Sequence, residues 1–152
     1  RYGLRPMPDR WMDAWAGRLK TMLPKGRPLS SGPAIFRRLR TFIGRLRRAG
    51  VTVIPSTDAA GWNPFSAPGA TLHRELAILK GCGYTNRELL AMATSGAAKA
   101  LHREWEFGSI APGRSADLLL LRANPLDDLA NLRRIETIFL RGRPYDPARL
   151  RP

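Results

Sequence analysis

The stretch Val51-Thr52-Val53-Ile54-Pro55-Ser56-Thr57-Asp58 decides the fold: it is a short apolar, β-branched run that stops on a small residue, a hydroxyl and a carboxylate. Between Gly50 and the breaker-rich segment from Ala59 to Gly69, such a run predicts a strand buried on both faces, the kind found in parallel sheets. Its last residue then stands at the C-terminal end of the strand. Ligands and catalytic groups collect at that end of α/β sheets, so Asp58 is a candidate for chemistry. The alternative for the same residue is a carboxylate that only caps a turn. Pro55 removes one ladder donor and fits best where the strand frays.

Upstream of this run, Pro33 suits a first helical turn, and Ile35, Phe36, Leu39, Phe42, Ile43 and Leu46 recur at helical spacing. They predict a helix with one buried face, ended by Gly50 as a left-handed cap. Arg37, Arg38, Arg40, Arg45, Arg47 and Arg48 take mainly the remaining face. Further upstream, Arg1 to Gly32 is rich in Pro and Gly. Trp11 to Leu23 is its best helix, with Trp11 and Trp15 one turn apart.

Downstream, Ala59 to Gly69 holds Gly61, Asn63, Pro64, Pro68 and Gly69, too many breakers for a regular element. A second helix is expected from about Thr71 to Lys80, with Leu72, Leu76 and Leu79 on one side. A third starts at the capping box Thr85-Asn86-Arg87-Glu88 and carries a small-residue stripe of Leu89, Ala93, Ala97 and Ala100. From Trp105 the period changes to two. Phe107–Ile110 and Ala116–Leu121 flank Pro112-Gly113, which suits a type II turn and predicts a hairpin. Ile135–Arg141 and Arg143–Tyr145 predict another strand pair around Gly142. The chain therefore divides into residues 1–104, of α/β pattern, and residues 105–152, a small antiparallel part.

A chain of 152 residues with 43% hydrophobic content has room for one domain or parts of two. No apolar run approaches the roughly 20 residues that span a bilayer, so no membrane partner is expected. The single cysteine, Cys82, excludes an internal disulfide and a cysteine zinc cage. The net charge of +14 raises the question of a polyanion partner. Of the 26 basic residues only Lys20, Lys25, Lys80 and Lys99 are lysines, and the arginines run from Arg1 to Arg151. Without a basic tail or an aromatic-interleaved motif, this is a solvated basic surface before it is a nucleic-acid site; the dense Arg37 to Arg48 helix carries that alternative. The compartment stays open.

Several strings stand in a telling order: Ser56-Thr57-Asp58-Ala59, then Pro68-Gly69-Ala70-Thr71-Leu72-His73-Arg74-Glu75-Leu76, then Gly83-Tyr84-Thr85. Glu106-Phe107-Gly108-Ser109-Ile110-Ala111-Pro112-Gly113-Arg114-Ser115-Ala116-Asp117-Leu118 and Asn124-Pro125-Leu126 follow. In this order they resemble the C-terminal part of the metal-dependent amidohydrolase superfamily, its imidazolonepropionase-like and prolidase-like members above all. The resemblance covers about Pro33 to Asp146. It implies the last strand and flanking helices of a (β/α)8 TIM barrel over residues 1–104, and strands of a small β-sandwich over residues 105–152.

The resemblance also implies a chemistry. Asp58, at the end of the eighth strand, would ligate a catalytic divalent metal, zinc first, and shuttle a proton from the attacking water to the leaving group of a small amide or cyclic amide. His73 would touch substrate; its bland alternative is a first-turn residue bonded to loop backbone. The family's remaining ligands, a His-x-His, a carboxylated Lys or acid, and two further His, have no counterpart among His73 and His102. Three or more protein ligands are the norm for zinc, so this chain is expected to be a truncated piece that holds no metal tightly and is inactive alone. Its partner would then be the missing N-terminal barrel half, with oligomer formation open. Cys82 has no local base to activate it and is expected to be a packed thiol. A non-catalytic relic or subunit is the third class.

Overall fold

The structure is a computed structural model that describes residues 32–57 and 69–150. The expected helix from Trp11 to Leu23 and most of the loop after Asp58 lie outside the described residues. Helix α1 (Gly32–Arg48) leads into a segment without regular secondary structure, 51–57. Helix α2 (Ala70–Lys80) is followed by α3 (Asn86–Ala91), a π-helical turn (Met92–Gly96) and α4 (Ala97–Ala100). Strands β1 (Leu118–Leu121), β2 (Ile135–Leu140) and β3 (Arg143–Tyr145) form an antiparallel sheet in that order. A 3-10 helix (Leu129–Arg133) lies between β1 and β2.

Helix α1 ends as its sequence dictates. Gly50 has φ +71, Gly50 N–H donates to Arg47 O and Val51 N–H to Leu46 O, both at 3.0 Å, which is the Schellman pattern. Its packing differs from expectation. The apolar stripe is open: Ile35, Phe36, Leu39 and Phe42 are 53%, 45%, 52% and 56% exposed. Of the stripe, Ile43 packs on the core, and a polar edge completes the docking. Arg40 donates to Gly81 O at 2.7 Å, Arg47 pairs with Glu88 at 2.9 Å, and a Cβ on Gly44 would stand 3.2 Å from Cys82 O. Two of the densely placed arginines are thus engaged in holding α1, which weakens the polyanion alternative.

The expected strand from Val51 to Ser56 does not form a ladder. A strand is defined by its neighbour, and no described residue pairs with this segment. Val53 turns inward onto the core while Val51 and Ile54 are 49% and 37% exposed. Helices and a small antiparallel sheet are therefore the architecture of the described residues, with no parallel strand among them.

The core is small and helical: Leu76, Leu79, Tyr84 and Leu89 are buried together, with Ile43, Cys82, Met92, Leu129 and Leu132 packed around them. The capping box forms as predicted. Thr85 Oγ1 accepts from Glu88 N at 3.2 Å, and the Glu88 carboxylate accepts from Thr85 N at 2.7 Å. Hydrogen bonds donated to the Glu88 carboxylate by Thr85 N–H and by the Thr85 hydroxyl, then Arg47, hold that carboxyl below the ordinary carboxylate range. Cys82 is a packed thiol that donates to Ile78 O at 3.4 Å.

The small-residue stripe is shifted. Leu89 is fully buried, but it is Ala98 that is buried with it, while Ala97 is half-buried and Ala100 exposed. The π-helical turn between them inserts extra backbone and advances the helical phase. Onto this turn sits Gly108, with φ +92. A Cβ there would meet Ala98 Cβ at 2.6 Å, Thr94 O at 2.9 Å and Ser95 Cα at 3.2 Å.

That contact explains a second departure. Phe107–Ile110 is not a strand, because its backbone is drawn down onto the helix; β1 pairs instead with β2, in the register Leu119 to Ile138. The turn is still made, with Arg114 N–H donating to Ala111 O at 3.3 Å and Gly113 at φ +82. The second hairpin is as expected. Arg141 and Gly142 have φ +49 and +78, the mark of a two-residue type I′ turn, and Leu140 pairs with Arg143. Asp117 fastens this turn, accepting from Arg141 N at 2.7 Å and from Ser115 Oγ at 2.8 Å.

Candidate functional site

Of the two site residues expected from sequence, Asp58 lies outside the described residues, and the segment that delivers it ends at Thr57. His73 is placed, in the first turn of α2 and half-buried. It opens a stripe at helical spacing, His73, Leu76, Ala77 and Lys80, that forms one wall of a cavity of about 320 Å³. The other wall is the 3-10 helix with its cap, from Asp128 to Arg133. This helix stands where it does because Leu129 and Leu132 reach the core and Asp128 caps it, accepting from Ala130 N at 3.0 Å.

The electrostatics of the cavity follow from these neighbours. Burial, and then the positive charge of Arg133, push the His73 imidazole below its ordinary value of 6.5. The imidazole is therefore neutral at pH 7 and presents one donor and one acceptor. Because the folded value is depressed, the unfolded chain takes up a proton near pH 6.5 that the folded chain refuses. Stability from this group is complete above that pH and is lost as pH falls through 6.5 toward the folded value. An NMR titration of the His73 ring should give a midpoint below 6.5; a midpoint at or above it would contradict this placement.

Lys80, Asp128 and Arg133 were not singled out in the sequence. Lys80 enters there only as the last residue of the expected second helix, and Arg133 as one arginine among many; the fold brings Asp128 and Arg133 to His73 across more than fifty residues. The one local signal is Asp128, followed by an apolar pair at the spacing of a capped turn.

A divalent metal is general in the family that the motifs resemble, so the donors present matter. Among the described residues no group of three or more His, Cys, Asp or Glu stands together. Arg133 acts on His73 across the cavity, and its positive charge disfavours a further cation there. The described residues alone do not compose a metal site. The carboxylate of Asp58 is chemically suited to a divalent ion, but as one ligand it needs further donors.

Comparison with known proteins agrees with the motif order. The model of the amidohydrolase family matches residues 15–138. The chain belongs to the amidohydrolase family. Imidazolonepropionase from Chloroflexus aggregans is 43% identical over 79 residues, 50% of this chain and 17% of that protein. A 5-methylthioadenosine/S-adenosylhomocysteine deaminase from Symbiobacterium thermophilum is 38% identical over 90 residues, 55% and 21% of the two chains. Among solved structures, a Bifidobacterium longum protein assigned as a prolidase superposes with a TM-score of 0.61 at 36% identity. That match covers 68% of this chain and 25% of the other. The chain spans about a fifth of the length of these curated relatives.

Proposed function

We propose that this chain supplies the C-terminal part of a metal-dependent amidohydrolase that cleaves a carbon–nitrogen bond in a small amide or cyclic amide. The observation that carries this reading is the single family match over residues 15–138, which spans Asp58 and joins the helical part to the sheet. The names of its relatives support the bond class: an imidazolonepropionase, a deaminase and a prolidase-type protein. On this reading residues 1–104 belong to a (β/α)8 barrel and residues 105–152 to a β-sandwich. The segment 51–56, which joins no ladder among the described residues, and the open stripe on α1 fit a barrel strand and its helix.

Asp58 is the residue assigned to the reaction. Zinc or a similar divalent ion, when bound, polarises the scissile carbonyl and acidifies water. The Asp58 carboxylate would contribute one ligand, accept a proton from the attacking water and pass it to the leaving nitrogen. The other ligands would come from residues outside this chain, and the 152-residue chain alone would hydrolyse nothing. His73 is proposed to contact substrate as a neutral donor and acceptor. The test is an assay of the 152-residue chain and of the longer product of its gene on Xaa-Pro dipeptides, N-acyl amino acids and cyclic amides. Turnover is expected only in the longer product; turnover by the 152-residue chain, or by neither, would overturn the proposal.

A further inference from the structure

The open stripe of helix α1 is bordered by charge. From Pro33 to Phe42 every residue is exposed, so that half of the helix takes no part in the core, and Ile35, Leu39 and Phe42 share its apolar face at helical spacing. Arg38 stands three residues after Ile35 and four before Phe42, and Arg45 three after Phe42, so both line one border of that face. The other border is the docked one, where Arg40 reaches Gly81 O and Arg47 pairs with Glu88. Arg37, Arg38, Arg45 and Arg48 make no hydrogen bond or ion pair with a described residue, and α1 contains no Asp or Glu. Arg37, Arg38 and Arg45 meet Thr41 and Phe42 around one open hollow of about 440 Å³, so the free cations and the edge of the apolar face form one continuous surface.

We infer that α1 is an interfacial helix that seats the 152-residue chain on an anionic phospholipid surface, with Ile35, Leu39 and Phe42 entering the acyl boundary and Arg38 and Arg45 meeting headgroup phosphates. A helix with bulky apolar residues on one face and cations beside them is the form that lies in the headgroup region. Arginine stems cover apolar surface while the guanidinium stays with the phosphates. The expectation of no membrane partner came from the length needed to span a bilayer, and no described helix is long and apolar enough to cross one; lying on the surface needs no such length. Charge and shape choose lipid over the other occupants. A partner helix seats in a groove between elements, whereas this face is the convex side of one helix with exposed residues around it. A nucleic acid would use the arginines and leave Ile35, Leu39 and Phe42 in water. A second copy laid on the same face would bring two arginine borders together. The inference concerns the 152-residue chain and does not rest on the hydrolytic reading, under which further barrel elements would cover the stripe in a longer gene product.

The test is co-sedimentation of the 152-residue chain, at physiological salt, with vesicles of phosphatidylcholine alone and with mixed vesicles of phosphatidylcholine and phosphatidylserine. The mixed vesicles are expected to bind it at least about tenfold more tightly, as several arginines near an anionic leaflet require. Changing Arg38→Gln and Arg45→Gln together should weaken that binding by about tenfold. Phe42→Gln, at a residue 56% exposed, should weaken it roughly fivefold through lost apolar burial. Ile110→Gln removes an apolar side chain that is 86% exposed outside α1 and should leave binding unchanged. Circular dichroism of each variant confirms that the helices persist. Binding to neither vesicle, or equal binding to both, would overturn the inference. So would binding that Phe42→Gln leaves untouched, the mark of a plain polyanion site such as one for nucleic acid. Equal weakening by Ile110→Gln and Phe42→Gln would also overturn it, since adhesion would then belong to exposed apolar residues in general and not to α1.

Discussion

Replacing Asp58 by Asn in the full gene product is expected to lower kcat/KM by at least a hundredfold while leaving the fold intact. Asparagine keeps the shape of the side chain. It loses the charge that attracts a divalent ion and the basicity that accepts a proton. General acid–base catalysis by a single placed group is worth about a hundred- to ten-thousand-fold, so the loss of proton transfer alone sets that floor. Steady-state kinetics with excess divalent metal, alongside circular dichroism of both proteins, measures it. A variant that keeps most of its activity would make Asp58 a turn-capping residue and remove the proposed site.

The second large effect is on stability. Gly108→Ala should destabilise the chain by about 2–5 kcal/mol, the sum of a left-handed backbone cost and an overpacking cost. The overpacking part comes from the closeness of the π-helical turn, where the new Cβ would meet Ala98 Cβ at 2.6 Å and Thr94 O at 2.9 Å. Neither atom can retreat without moving backbone. Gly113→Ala separates the two terms: Gly113 has φ +82 but nothing within 4 Å, so only the backbone cost applies. In thermal unfolding Gly108→Ala should fall on the order of 10 °C below the parent, and well below Gly113→Ala. Equal losses in the two variants would mean that the packing of Gly108 on the π-helical turn does not exist in solution.

These two glycines also show what could be foreseen from sequence. Features closed within a few residues were legible: the Schellman end at Gly50, the Thr85 to Glu88 capping box, the turn at Gly113 and the hairpin at Gly142. Each is set by local steric and hydrogen-bonding rules. Features that need a distant partner were not. Val51 to Ser56 has strand composition, yet composition supplies no neighbour to bond with. Phe107–Ile110 alternates like a strand, but its glycine is taken by Thr94, Ser95 and Ala98 of the preceding helix, and β1 finds β2 instead. The π-helical turn altered the phase of the Ala stripe, and no residue type between Met92 and Gly96 announces it. The candidate site divides in the same way. Asp58 and His73 could be named from motif order. Lys80 and Arg133 could not, because neither carries a local signature and the cavity exists only once α2 and the 3-10 helix meet.

The Asp58 carboxylate is proposed to serve a metal-dependent cleavage of a carbon–nitrogen bond. Its most direct test is chelation and restoration in the full gene product, assayed on the amide that it turns over fastest. Removal of metal should abolish hydrolysis, added zinc or another divalent ion should restore it, and the Asp58→Asn protein should not be restored. Turnover that survives exhaustive chelation, or a chelated Asp58→Asn protein that recovers fully with metal, would contradict it.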